Sequence, residues 1–344
     1  MSKKNSTALS LKQILNKDKN ISDIYLKFKK NISGIVKSNN FTVAVSGGSD
    51  SLALTALSKL YALEKKSKAF FVLIDHGLRK NSKKEAQIVK TLLKKNAIPL
   101  HIITNQKPIN NNIQSLARKI RYDLILNFCK KKKIKYIVTA HHSDDQIETF
   151  FIRLSRGSGV QGLSSMSKIV SLNSKIKLLR PLLELKKKEL VYISKKIFKK
   201  SIKDPSNSDN KYLRTRIRKL KKELEKTGIH HDQILKSISN LASTRDTLNI
   251  YFKKVISLCV KKRSGKNLIN LDRLFLEPQE IQIKVISHTI KSSSKTYYPP
   301  RAKKVSNLLK RLKDSRFAFK ATLGGCFLQK FDNFLVVTNS KQLN

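Results

Sequence analysis

Between residues 41 and 140, four short runs rich in β-branched and aromatic residues alternate with longer helical patterns. This alternation restricts the fold more than any other feature of the chain. The runs are 41–45, 69–74, 100–103 and 136–140. The helical patterns between them are 52–65, 82–95 and 113–132, and another precedes them near 21–37. Such an order predicts a parallel sheet covered by helices, and ligands of such sheets bind beyond the carboxyl ends of the strands. The densest motifs fall at those ends: SGGSDS after the first run, DHGLR after the second, AHHSDDQ after the fourth.

The strand–SGGSDS–helix unit suits anion capture. Gly47 and Gly48 let backbone N–H groups turn inward, Ser46, Ser49 and Ser51 supply hydroxyls, and the helix start adds partial positive charge. The same residues also describe a tight turn followed by a helix cap. No lysine follows the glycines as it does in a Walker motif. Asp50 is a poor direct partner for an anion, and a magnesium-bridged contact is the reading that gives it a purpose.

The stretch Thr139-Ala140-His141-His142-Ser143-Asp144-Asp145-Gln146-Ile147-Glu148-Thr149 carries the most chemistry. Ser143 and Gln146 have capping-box spacing, which puts Asp144 and Asp145 in the first helical turn, and Glu148 shares their face. Capping alone requires neither the paired histidines nor Glu148. Carboxylates at a helix start beside a phosphate loop can hold Mg²⁺, accept a proton or bind a cationic substrate. A zinc site lacks a third soft ligand nearby. Arg118 and Arg121 share a helix face at i, i+3, which a solvated basic face also explains.

At 344 residues the chain has length for about two domains. Its 73 Lys+Arg against 23 Asp+Glu give a net charge of +50, which favours a polyanionic partner through counterion release. Drift toward lysine also contributes, for only 15 of the 73 are arginine. Nine of those 15 lie between Arg79 and Arg218, mostly beside the motifs. Cys129, Cys259 and Cys326 are far apart and form no CxxC, so a reducing compartment is expected. The basic start has no apolar signal core and no apolar run reaches membrane-spanning length, so the chain reads as soluble and cytoplasmic, with no membrane partner. From about residue 218 Lys-rich helical patterns (220–226 and 234–262) lead to three apolar runs split by Gly324-Gly325 and Asp332-Asn333, the pattern of a small antiparallel meander.

In their order along the chain, SGGSDS, DHGLR, ARKIRY, TAHHSDDQIET, RGSGVQGL, RPLL and DPSN…YLRTRIR resemble the tRNA(Ile)-lysidine synthase family of PP-loop ATP pyrophosphatases. The resemblance spans about residues 41–218, and PPRAKKVSNLLKRL and ATLGGC resemble that family's C-terminal region. Thr215 departs from the pattern, where the family usually has Asn. The fold implied is α/β: a parallel-sheet PP-loop (adenine nucleotide α-hydrolase-like) domain over 20–218. A basic helical linker and tRNA-binding C-terminal domain with a small antiparallel β part follows over 219–344.

The resemblance implies ATP and Mg²⁺ as cofactors, free L-lysine as co-substrate and tRNA(Ile) with a CAU anticodon as partner; a homodimer is admitted. The wobble cytidine is adenylated at its C2 oxygen with release of diphosphate, and the lysine ε-amine then attacks C2 and expels AMP. Carried over, Ser46, Gly47, Gly48, Ser49, Asp50 and Ser51 cradle the diphosphate, Asp50 places the metal, and Arg121 and His141 contact ATP. Asp145 and Glu148 bind lysine, Asp145 or Asp144 takes the proton, and Arg214, Arg216 and Arg218 grip tRNA. Two rivals stand beside this reading. A PP-loop tRNA thiolase would need a reactive cysteine, and a non-catalytic RNA-binding protein would leave SGGSDS and DDQIET without a purpose.

Overall fold

A computed structural model of the chain describes residues 11, 13–15, 17–78, 81–106, 113–199, 201–202, 213–263, 265–294, 296, 299–314 and 319–340. Arg79, Asp204 to Asn207 and Tyr212, all in motifs singled out above, lie outside them. The chain forms two compact units, 1–242 and 243–344.

The first unit runs α1 (Lys19–Val36), β1 (Phe41–Val45), α2 (Ser49–Glu64), β2 (Ala69–Asp75), α3 (Ser82–Lys95), β3 (Leu100–Thr104), α4 (Ile113–Lys131), β4 (Tyr136–Val138), α5 (Ser143–Leu154), α6 (Val160–Leu163), β5 (Ile169–Ser171), β6 (Lys177–Leu179), α7 (Lys187–Phe198) and α8 (Leu213–Lys226). The strands form one sheet in the order β3-β2-β1-β4-β6-β5. Five are parallel, and β5 pairs antiparallel with β6 at the edge. The chain steps outward from β1 to β2 and β3, then returns to the other side of β1 with β4. The crevice where the winding reverses therefore lies between the carboxyl ends of β1 and β4, the usual place for a ligand.

Helix α2 explains its own position. Leu52, Leu54, Leu57, Leu60 and Tyr61 are buried, and so are the small residues Ala53, Thr55, Ala56 and Ser58 between them. A helix apolar on all sides is covered on all sides. α2 shares one core with α1 (Phe28, Ile32), with β1 and with α7 through Leu190, Ile193 and Phe198. Burying each large side chain contributes about 1.5–3 kcal/mol, so the loop heading α2 stands on a rigid base.

The long helix α9 (His231–Cys259) begins in the first unit and ends in the second. The second unit then has β7 (Val260–Arg263), β8 (Lys266–Asn270), α10 (Leu271–Phe275), α11 (Gln279–Ser294), α12 (Ala302–Asp314), β9 (Lys320–Leu323), β10 (Cys326–Phe331) and β11 (Phe334–Asn339). Its sheet is ordered β7-β8-β11-β10-β9. Gly324 and Gly325 (φ 61° and 77°) and Asp332 (φ 47°) make the two tight turns of the expected meander. The helical reading through residue 262 is corrected: α9 stops at Cys259, and Val260 to Arg263 is a strand that turns at Gly265, φ 76°, into β8. The lysines there fit an exposed edge strand as readily as a helix. Among the described residues no helix is long and apolar enough to cross a membrane.

Candidate active site

The loop after β1 is tied by one side chain. The Ser51 hydroxyl accepts from the N–H groups of Ser46 (3.2 Å) and Gly47 (3.0 Å) and from the Ser46 hydroxyl (3.1 Å), and donates to the Gly48 carbonyl (2.9 Å). Gly47 has φ 86°, and a Cβ there would lie 2.6 Å from the Val89 side chain. Only glycine serves at this point. The Gly47 carbonyl accepts from Ile202 N–H at 3.0 Å, fixing the chain beyond α7 to the loop. The N–H groups of Ser49, Asp50 and Ser51 head α2, where helix geometry supplies no acceptor. The geometry of Ser46 to Ser51 is thus a helix start with free N–H groups, suited to an anion.

Across the crevice, α5 begins directly after β4. The Ser143/Gln146 capping box expected from the sequence is displaced by one residue. The Asp145 carboxylate accepts from His142 N–H at 3.0 Å, so His142 is the N-cap. Gln146 faces inward instead, donating to the Met166 carbonyl (2.9 Å) and accepting from its N–H (2.7 Å). A buried amide that meets an unpaired backbone segment is better used there than at a cap.

His142, 3% exposed, lies among three carboxylates. Its Nε2 is 3.6 Å from Asp50 and from Asp145, and its Nδ1 is 3.7 Å from Asp144. Burial opposes the imidazolium, but the bond to Asp50 and the charges of Asp145 and Asp50 outweigh it and raise the histidine's pKa. Asp50 also holds the Lys187 ammonium at 2.6 Å. Burial pushes its carboxyl up, yet His142 and Lys187 together bring it down to about 2. Asp144 accepts from Lys221 (2.7 Å) and from the Lys187 N–H (3.0 Å), and His231 lies 3.8 Å away. Against burial, those donors hold Asp144 well below the usual carboxylate range.

Glu148, 4% exposed, pairs with Arg218 at 2.5 and 3.3 Å, with Arg214 at 3.9 Å. Asp145 and Glu148, one helical turn apart, therefore face different partners in this state: the N-cap and α8. A cavity of about 260 Å³ opens beside them, lined by His142, Asp144, Glu148, Lys187, Arg218 and Lys221, with Ile147 and Ile217. Arg216 is exposed on α8, and Thr215 is 6% exposed. Ile147 packs with Ile234 and Ile238, which brings the start of α9, with His231, to the site.

A second cavity, about 150 Å³, adjoins the loop over the ends of β1 and β2, lined by Ser46, Leu73, Asp75, His76, Val89 and Ile202 among others. Arg121 Nε donates to His76 Nε2 at 3.3 Å. Burial and the arginine's charge, against Asp75, bring His76 down to about 4, so its proton sits on Nδ1, which is buried without a partner. His141, whose Nδ1 is 3.0 Å from Thr139 Oγ1, is likewise brought to about 4, by burial and by Arg180, Arg118 and Arg214 against Asp145.

Sequence reasoning passed over His142, Lys187, Lys221 and His231 as members of the site. His142 was in view as half of a His pair. Lys187 and Lys221 sit in KKK and KLKKE runs that nothing sets apart from other lysine clusters. Among the described residues no group of three or more His, Cys, Asp or Glu is arranged to hold a metal. Mg²⁺ in a nucleotide site needs only one or two carboxylates besides the phosphates, and ionised Asp50 beside the loop fits that donor set. All three cysteines are buried in cores: Cys129 donates to Thr42 Oγ1 at 3.3 Å, and Cys259 and Cys326 lie in the core of the second unit.

A parallel sheet with a glycine–serine loop at its switch point and acidic residues opposite points to the class. Residues 17–224 match the PP-loop domain family, and the chain is a PP-loop ATP-binding protein. The same architecture occurs in a U34-tRNA thiolase from Methanococcus maripaludis solved with its [4Fe-4S] cluster. That likeness has a TM-score of 0.56 and 17% identity, and covers 65% of this chain and 79% of that one. Within the class the sequence is more specific. It is 35% identical over 310 residues to the tRNA(Ile)-lysidine synthase of Wolbachia pipientis wMel, covering 89% of this chain and 72% of that protein. It is 32% identical over 319 residues to that of Rickettsia bellii, covering 91% and 73%. The chain belongs to the tRNA(Ile)-lysidine synthase family.

Proposed function

We propose that this protein is an ATP-dependent ligase that joins L-lysine to C2 of the wobble cytidine of a tRNA(Ile) with a CAU anticodon. The observation that carries the proposal is one crevice: the loop of Ser46 to Ser51 and the carboxylates of α5 face each other across the β1–β4 switch point, linked through His142 and Lys187. Diphosphate release and amine attack must occur at one nucleotide, and this arrangement serves both.

In the first half-reaction the cytidine C2 oxygen attacks the α-phosphorus of ATP, the α–β phosphoanhydride bond breaks, and its electron pair leaves on diphosphate. Ser46 to Ser51 hold that anion, Asp50 is the residue that would hold Mg²⁺, and the cavity beside His76 and Arg121 takes the nucleoside. Magnesium, when bound, neutralises charge on the departing phosphates. In the second, the lysine nitrogen bonds to C2 and AMP departs with its oxygen. Activation as an adenylate turns a poor oxygen leaving group into a good one.

Glu148 and Asp145 receive the ammonium. Glu148 is now paired with Arg218, so lysine exchanges one cation for another at a carboxylate already desolvated. Asp144, tied by Lys221 and the Lys187 N–H, stays ionised and orients the group, which leaves Asp145 to accept the proton. Arg214 and Arg216 of α8, with the basic second unit, meet the tRNA backbone in the cytoplasm. The test is tRNA-dependent formation of AMP and diphosphate, with the tRNA then digested to nucleosides. Lysine-bearing cytidine supports the proposal, a sulfur-bearing base supports the thiolase rival, and no nucleotide turnover leaves an RNA-binding role.

A further inference from the structure

SGGSDS lacks the lysine that P-loops carry in their own helix, yet a diphosphate bears several negative charges and backbone dipoles supply only partial ones. The structure assigns that missing cation to Lys187, 137 residues beyond Asp50. We infer that its ammonium leaves Asp50 for the β- and γ-phosphates of ATP and stabilises diphosphate as it departs.

Three observations carry the inference, which rests on the proposed adenylation. First, Lys187 Nζ is 2.6 Å from Asp50 Oδ2, and among the described residues it is the one ammonium ion-paired with a residue of the loop. The neighbouring cations Lys221, Arg218 and Lys186 are each paired with a carboxylate outside the loop, Asp144, Glu148 and Asp232, and Arg121 donates to His76. His142 also meets Asp50, but at 3.6 Å and 4% side-chain exposure it is enclosed. Second, the Lys187 side chain is 46% exposed, so a ligand can reach its ammonium. Third, the backbone bearing it is fixed near the loop at both ends of α7. Lys187 N–H is held by Asp144 at 3.0 Å, and Ile202 N–H by the Gly47 carbonyl at 3.0 Å. Between these ends Leu190, Ile193 and Phe198 share a core with α2. A full charge on a preorganised helix start beside an anion loop strengthens most where charge develops.

Asp50 keeps the ammonium in place until ATP arrives. A purely structural clip would use the same ion pair, so the test must read diphosphate itself. Binding of inorganic diphosphate in magnesium buffer is measured by calorimetry for the full-length protein, Lys187→Gln, Lys187→Arg and Lys186→Gln. Melting temperature and the KM for lysine are measured alongside. Loss of a charge-assisted hydrogen bond predicts about 10- to 100-fold weaker diphosphate binding in Lys187→Gln, with a matching fall in the adenylation rate. Lysine KM and melting temperature stay within about twofold and a few degrees. Lys187→Arg recovers most of the binding, and Lys186→Gln, which removes an equal charge one residue away, leaves it unchanged. Diphosphate affinity retained in Lys187→Gln, or reduced equally in Lys186→Gln, overturns the inference while leaving the adenylation reading intact. Native protein that binds neither ATP nor diphosphate overturns both. If Lys187→Gln fails to fold, Lys187→Arg decides: a folded arginine variant that binds diphosphate supports the inference, and one that does not overturns it.

Discussion

Replacing Glu148 by glutamine separates stability from chemistry at the point where the two are closest. The carboxylate is 4% exposed and takes both Arg218 bonds, at 2.5 and 3.3 Å. The amide keeps the shape and one acceptor but removes the charge. Because Arg218 is 40% exposed on its side chain, it can turn to water once released. The stability cost is then that of a charge-assisted bond at the edge of solvent, about 1–2 kcal/mol. For a unit of this size that lowers the melting temperature by roughly 2–4 °C per kcal/mol. A capping carboxylate alone would cost only about 1 kcal/mol or less, so the buried pair raises the expected cost. For substrate lysine, losing a charged acceptor costs about 1.5–3 kcal/mol, a roughly 10- to 150-fold rise in KM. Adenylation precedes the amine, so diphosphate formation persists at low lysine and the adenylated tRNA accumulates, while AMP release falls together with lysidine formation. The assay follows lysidine formation against lysine concentration, with labelled AMP release and thermal unfolding in parallel. A lysine KM within about twofold of the native value, with the melting temperature lowered as expected, would refute the assignment and leave Glu148 a structural partner of Arg218.

Gly47→Ala combines positive φ with a Cβ 2.6 Å from Val89, so about 1–3 kcal/mol of stability and a raised KM for ATP are expected by denaturation and by kinetics. His76 and His141, held neutral with pKa about 4, bind protons on unfolding that the fold refuses, so stability falls as pH drops from about 6.5 towards 4. Asp50, lowered to about 2, extends that loss below pH 4, whereas His142, raised, favours the fold at lower pH and loses its contribution as pH rises above 6.5; thermal melts across pH 3–8 read the balance. Arg216→Ala, an exposed position, weakens tRNA binding and reduces the slope of log K against log salt by about 0.7–0.9 for each phosphate the arginine neutralises; an unchanged slope excludes that role.

Strands β1 to β4 were legible because each is a compact apolar run rich in β-branched or aromatic residues followed by turn chemistry, as at Val45–Ser46 and Ile74–Asp75. The loop was legible because Gly47 and Gly48 interrupt that pattern. Strands β5 and β6, three residues each, carry too short a pattern to stand out. Two further features were hidden. Val260 to Arg263 continued a lysine-rich helical rhythm, and only pairing with β8 makes it a strand. The cations of the site were hidden for another reason: in a chain with 73 basic residues, Lys187 and Lys221 differ from their neighbours only by what α7 and α8 bring them against. A further partner of Asp144, His231, is distant in sequence and is carried in by Ile234 and Ile238 packing on Ile147. The compact units part between 242 and 243, which keeps Lys221 and His231 in the unit that carries the loop and α5.

The most direct measurement is incubation of the full-length protein with ATP, magnesium, labelled L-lysine and tRNA(Ile) bearing a CAU anticodon. Incorporated lysine, AMP and diphosphate are counted in the same sample. The account predicts one of each per tRNA, with the label recovered in a modified wobble cytidine and none when that base is changed. AMP and diphosphate formed with no lysine in the tRNA, or lysine incorporated without release of diphosphate, would contradict it.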